Sequence, residues 1–181
     1  YFYSHLLEGC DLSSIEPRSL EAEMAKKQAQ DLSGLNEPLI DQLIALMLKD
    51  QRYRYRSSVY HQHLEEQHAL DEEVAQELSQ LLDTYGYPVK DLVGEAFKNY
   101  ACLFIEHAGG RDVPSNLAFK EKYLPLVLEA YQQGQVERNY LAMLLDRIHL
   151  FRDGKQLFGS QLGIPFYDEA KRQQLKVEYG L

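Results

Sequence analysis

The sequence predicts a single all-α domain, a multi-helix bundle with a short Gly-containing loop or hairpin near its C-terminus. Three observations lead there. Apolar residues recur at helical spacings of three and four along most of the chain. Gly and Pro fall mainly between those periodic stretches, where they punctuate the chain. The connections so marked are short, with no internal repeat, low-complexity tract or linker, as in helices of one domain packed on each other. At 181 residues and 45% hydrophobic, such a chain buries roughly 70% of the surface it exposes when unfolded, so it needs no disulfide or metal staple.

Residues 20–29 are rich in Ala, Glu, Lys and Gln with little apolar face, which predicts an exposed helix ending before Ser33-Gly34. The second helix is the clearest. Asn36 caps it, Pro38 suits its first turn, and Leu39, Ile40, Leu43, Ile44, Met47 and Leu48 make its stripe. A third helix is expected over 70–83, with Asp71, Glu72 and Glu73 near its N-terminal dipole, and Tyr85-Gly86-Tyr87-Pro88 then turns the chain. A fourth covers 94–108 and stops at Gly109-Gly110; a fifth covers 117–133, bent at Pro125. The sixth, over 137–152, stops before Gly154. Residues 140–145 with Ile148, Leu150 and Phe151 make it apolar nearly all round, which predicts a central position. Residues 157–163 form the Gly-punctuated loop or hairpin, and a short helix over 167–175 closes the chain. This reading divides the chain into an N-terminal helical extension, 1–35, and a helical domain, 36–181.

The charge balance excludes whole classes of function. Lys and Arg number 19 against 28 Asp and Glu, a net charge of −9. Nonspecific grip on nucleic acid or on an anionic membrane needs surplus cations instead. Apolar runs are only a few residues long, so no membrane span is expected. The two cysteines, Cys10 and Cys102, fit no C-x-x-C or zinc spacing, and their redox state stays open. The chain begins at Tyr1 rather than Met, so the expectation is a processed or trimmed chain, soluble, and either cytoplasmic or exported after loss of a signal segment. Leu7-Glu8-Gly9-Cys10 has the outline of a lipoprotein cleavage box, but Glu8 is the wrong kind of residue there.

Polar residues then stand where apolar ones belong. In the second helix, steps of three, four and seven from Met47 land on Asp50, Gln51 and Arg54, so a Leu/Ile/Met face becomes a carboxylate, an amide and a guanidinium. In the fourth, Phe97, Tyr100, Ala101 and Phe104 lead to His107, with Glu106 beside it. In the sixth, Asp146, Arg147 and His149 interrupt the apolar run. Charges on inward faces need partners, and Asp50, Arg54, Asp146 and Arg147 offer matching signs.

Taken in order, these residues resemble a known series. Asp50-Gln51-x-x-Arg54, Tyr85-Gly86-Tyr87-Pro88, Glu106-His107-Ala108, Asp146-Arg147 and Gly154-x-Gln156-x-Phe158-Gly159-Ser160-Gln161 look like the D-Q-x-x-R, Y-G-W-P, Q-H-A-D, D-R and G-x-x-Q-x-Y-G-T-Q motifs of an uncharacterised, mostly bacterial family of unknown function. The resemblance covers about residues 36–175, and the ordered set is far more specific than any one motif. Tyr87 replaces Trp, Glu106 replaces Gln, Gly109 stands where an acid is usual, and Phe158 and Ser160 replace Tyr and Thr. Glu106 adds a charge that favours protonated His107. The resemblance implies which residues matter and no chemistry.

Three readings of function follow. In the first, the chain is a non-catalytic module binding an unknown small molecule or protein at a buried polar site of Asp50, Arg54, His107, Asp146 and Arg147. Gln51, Glu106, Gln156 and Gln161 add ligand contacts, and 13 tyrosines offer interface aromatics. In the second, it is a hydrolase-like enzyme on a small anionic substrate. His107 is then the general acid or base, Asp50 or Asp146 orients it, and Arg54 and Arg147 hold the anion. In the third, the polar residues are a purely structural ion-pair network. No P-loop, G-x-S-x-G, H-E-x-x-H or Rossmann glycine pattern is present, and no cofactor is identified. His61, His63 and Glu65 are the only metal candidates, in a tract better read as a solvated helix or loop. Oligomeric state stays open.

Overall fold

The computed structural model describes residues 19–110 and 112–181, so the Leu7-Glu8-Gly9-Cys10 stretch lies outside the described residues. Side-chain caps start most of the longer helices. Ser19 accepts from Ala22 N at the start of α1 (Leu20–Gln28), and Asn36 accepts from Leu39 N at the start of α2 (Glu37–Asp50). A short α3 (Ser57–Gln62) precedes the long α4 (Leu64–Tyr85), and a single turn, α5 (Lys90–Val93), precedes α6 (Tyr100–His107). Asp112 caps α7 (Val113–Gln132), Gly154 in the left-handed region ends α8 (Arg138–Asp153), and Asp168 caps α9 (Glu169–Glu178). No strand occurs among the described residues. Gln156 and Phe166 make one isolated parallel bridge, so the Gly-rich segment is a closed loop rather than a hairpin. The architecture is all-α.

Besides the unexpected short α3 and α5 and the earlier start of α7 at Val113, three differences from expectation shape the site. Helix α4 starts at Leu64, six residues early, so Glu65 and Glu66 occupy its first turn and Asp71 lies two turns in, facing the core. Its inward row opens with Gln67 and Asp71 before the apolar Val74 and Leu78, and polar lettering hid the start. The predicted fourth helix is cut short, because Gly94 at φ 79 ends α5 and α6 begins only at Tyr100. The central helix is α6, not the apolar sixth one. Helix α6 packs on α2, α4, α7 and α8, and every residue but Leu103 and His107 is buried. Helix α8 packs on α6 and α7 and leaves Ala142 and Met143 half-exposed on its outer side.

The core is one apolar cluster running from Leu39, Leu43 and Met47 of α2 through Val74 and Leu78 of α4 and Phe104 of α6 to Leu141, Leu144 and Ile148 of α8. Helix α1 packs on α2, with Lys27 2.7 Å from Asp41 and 3.3 Å from Glu37. Cys102 is a buried thiol that its burial keeps protonated. Helix α9 is tied on by side chains: buried His149 bonds the hydroxyls of Tyr167 at 2.9 Å and Tyr179 at 3.0 Å, and Arg172 Nε donates to Leu157 O at 3.0 Å. After α6 the chain runs close under the first turns of α7. A Cβ on Gly109, whose φ is 141, would lie 2.8 Å from Asn116 Cγ, and one on Gly110 2.4 Å from Ser115 Cβ. This close approach fixes where the last turn of α6 ends.

Candidate functional site

The apolar stripe of α2 runs into Asp50, which is fully buried at the helix C-terminus. A carboxylate there needs partners, and it has several. Gln51 Nε2 donates to Oδ2 at 2.6 Å. His107 Nδ1 donates to Oδ1 at 3.0 Å and Oδ2 at 2.9 Å from the last turn of α6. Arg54 NH1 lies 3.4 Å from Oδ1 and also donates to the Asp50 backbone carbonyl. The guanidinium then reaches Asp71 of α4 with both forks, NH1 to Oδ1 at 2.8 Å and NH2 to Oδ2 at 2.5 Å. Gln67, one turn before Asp71, donates to Asp71 Oδ1 at 2.9 Å and to Asp50 O at 3.1 Å.

On its far side His107 meets a second carboxylate. Glu106 is buried, and its Oε1 accepts from Arg147 Nε of α8 at 2.8 Å. Its Oε2 lies 2.9 Å from His107 Nε2, yet it makes no hydrogen bond. The ring N–H is not aimed at it. Arg54, His107 and Arg147 therefore face Asp50, Asp71 and Glu106, cation for carboxylate. The carboxylates lie beneath and the cations form the rim: the side chains of Asp50 and Glu106 are 1% and 2% exposed, those of His107 and Arg147 17% and 32%.

Electrostatics fix the protonation states. Burial, the largest influence on His107, disfavours imidazolium, but Asp50 and Glu106 together outweigh it and push the pKa up to about 9. Burial likewise favours protonated Asp50, and His107 with Arg54 overcomes it, leaving the carboxyl below its usual range. Glu106 is held well below that range by Arg147 and His107, again against its burial. At neutral pH Asp50 and Glu106 are therefore ionised and His107 carries its proton.

Sequence reasoning missed Gln67, Asp71 and Lys120. All three sit at helical spacing on rows whose other members are buried: Gln67 and Asp71 with Val74 and Leu78, Lys120 with Tyr123, Leu124 and Val127. Lys120 has no exposed surface, and its ammonium donates to Ala108 O at 2.7 Å and Asn116 Oδ1 at 2.5 Å. No carboxylate among the described residues pairs with it, and burial pulls its pKa down to about 7.

Other expected members lie elsewhere. The sequence offered Asp50 or Asp146 to orient His107; Asp50 bonds it, whereas the oxygens of Asp146 accept backbone N–H groups of the loop after α8: Leu157 at 2.7 Å, Phe158 at 2.9 Å and Ser160 at 2.8 Å. Gln156 likewise faces into that loop, donating to Ile164 O at 2.5 Å and accepting from Gln161 N at 2.8 Å, while the Gln161 amide bonds Ser160 Oγ at 3.3 Å. All three residues bond within that loop, and none of these bonds reaches His107. Asp146→Ala is accordingly expected to cost about 2 kcal/mol by stranding three amides. Hydrogen exchange at residues 157–160 should rise while His107 keeps its titration; unchanged protection there would show that Asp146 does not hold the loop.

The metal candidates do not converge. His61 Nδ1 turns back to Ser57 O at 2.6 Å, and His63 stacks on Tyr53 at 4.5 Å and lies 3.5 Å from Glu66. Glu65 is exposed on α4. Among the described residues no three His, Cys, Asp or Glu side chains form a metal-holding group, and no helix is long and apolar enough to cross a membrane.

With this geometry in place, comparisons with known proteins add one relationship. No curated protein and no solved structure matches the chain. The model of DUF6624, described as a family of unknown function, matches residues 21–173.

Proposed function

The chain belongs to the DUF6624 family of unknown function, and we propose from its site geometry that it binds a small anionic ligand between Arg147 and His107. One observation carries this reading. Arg147 donates only Nε to Glu106; neither terminal nitrogen has a hydrogen-bond partner among the described residues, the guanidinium lies over the Phe151 ring at 6.0 Å, and the side chain is 32% exposed. A guanidinium held by one edge presents its other edge as a planar fork, which matches a carboxylate or phosphate. His107 stands beside it as a second charged donor, locked from behind by Asp50 through Nδ1. The same ion pairs also hold α2, α4, α6 and α8 together, so binding and scaffolding share residues.

The Asp50–His107 pair favours a second reading, hydrolysis of that anionic ligand. A carboxylate-backed imidazolium with a pKa of about 9 is charged at neutral pH and suited to protonate a leaving group. Catalysis then needs the same anion seat.

The test is thermal unfolding with inorganic phosphate and simple organic acids, for the wild type and Arg147→Lys. A bound ligand at a hundredfold excess over its dissociation constant stabilises the fold by about 2.7 kcal/mol. Arg147→Lys keeps the charge near Glu106 and removes the fork, so it should fold and bind about tenfold more weakly. If no anion raises the wild-type melting temperature, or if the variant responds as the wild type does, the proposal is wrong.

A further inference from the structure

Glu106 Oε2 is the only carboxylate oxygen among the described residues that is both buried and without a hydrogen-bond partner. Its neighbours are unusual too. His107 Nε2 is 2.9 Å away but directs its N–H elsewhere, and Arg147 is bonded through Nε to the other oxygen, Oε1. One locus therefore has a charged donor in His107 and a charged acceptor in Glu106 side by side, with the open Arg147 fork adjoining. The acceptor is permanent, because Arg147 and His107 keep Glu106 ionised. An ionised carboxylate has no proton to give, so it can be satisfied only by a donor.

A bare oxyanion does not fit this locus. Its oxygens suit Arg147 and His107, but one facing Glu106 Oε2 brings two acceptors together and leaves both unpaired in a buried place. An anion carrying its own O–H or N–H fits all three. Its anionic oxygens accept from Arg147 and from His107 Nε2, and its hydroxyl or amino hydrogen donates to Oε2.

We propose, resting on the anion-binding reading above, that the site selects anions bearing a hydrogen-bond donor, as monohydrogen phosphate and 2-hydroxy acids do, and that Glu106 is the residue that discriminates. Glu106 lies beneath the rim formed by His107 and Arg147, so a donor reaching Oε2 requires the partly exposed Arg147 side chain to move aside. The discrimination follows the general pattern in which a buried polar group left unpaired rejects the near-isostere more strongly than a missing apolar contact does.

Two matched pairs of anions test this at constant ionic strength and neutral pH, by calorimetric titration of the full chain. Phosphate carries an O–H at that pH and sulfate does not; glycolate carries one and acetate does not. The expected result is that at least one donor-bearing member binds, about tenfold or more tighter than its bare counterpart, the responding pair showing whether the source is a phosphate or a hydroxy acid. Equal binding within each pair overturns the selectivity and leaves the anion seat standing. Absence of binding by all four overturns both. Glu106→Gln offers an amide N–H as well as an oxygen, so in that variant the preference for the donor-bearing member should shrink toward equality. If the variant keeps the full preference, Glu106 is not the discriminating group. Because the wild-type comparison carries the proposal, a variant that fails to fold does not blunt the test.

Discussion

Asp50→Ala is expected to lower the unfolding free energy by about 3–5 kcal/mol, the loss seen when one partner of a buried ion pair is removed and the other stays charged. The size follows from what Asp50 holds. It is fully buried, its two oxygens share the His107 Nδ1–H, and its backbone carbonyl accepts from Arg54 and Gln67. Arg54 keeps Asp71 after the change, but His107 keeps only Glu106, whose near oxygen is not on its N–H line. Asp50→Asn preserves the shape and one acceptor, so its loss should be smaller, while His107 should titrate well below about 9. Urea unfolding gives the first quantity and proton NMR of the imidazole the second. A loss under about 1 kcal/mol for Asp50→Ala would mean that the network contributes no more than a surface pair.

Two neighbouring groups should give opposite pH slopes that nearly cancel. The His107 pKa rises from its ordinary 6.5 to about 9 on folding, so its stabilising contribution is complete below 6.5 and disappears as pH climbs to 9. The Lys120 pKa falls from 10.5 to about 7. Between those values the unfolded chain binds the extra proton, so this contribution makes the protein more stable as pH rises. From pH 7 to 9 the windows overlap, with slopes of at most about 1.4 kcal/mol per pH unit each way. Wild-type stability should therefore be nearly flat across that range. Lys120→Met should unmask a fall of about 2 kcal/mol from pH 7 to 9, and His107→Gln a rise. Urea midpoints at several pH values decide it: parallel curves for all three proteins would show that neither group titrates as described.

Much of this molecule was legible before its structure. The α2 stripe running into Asp50 and Arg54, and the α6 stripe running into His107, identified real inward polar positions because their apolar neighbours are unambiguous. The same reasoning fails for Asp71 and Lys120, since Gln67 and Asp71 lead the α4 row and Lys120 leads its row in α7. A polar residue at the head of a stripe looks like a helix end, and only packing reveals that it faces inward. Asp146 shows the converse limit. Its burial was readable, but its partners are backbone amides of a loop ten or more residues on, and amides leave no mark in the lettering. The centrality of α6 was hidden by its length, since a short helix between Gly94 and Gly109 offers little periodicity.

That brevity has a consequence for folding. Helix α6 has eight residues, whereas isolated helices shorter than ~12–15 residues are marginal in water. It must draw its stability from the four helices packed round it, so it forms only as they dock. His107 and Glu106 ride on its last turn, and a partly folded chain has no version of this site. Any ligand gripped there acts as a latch on the whole cooperative unit, slowing the opening of helices that it never touches.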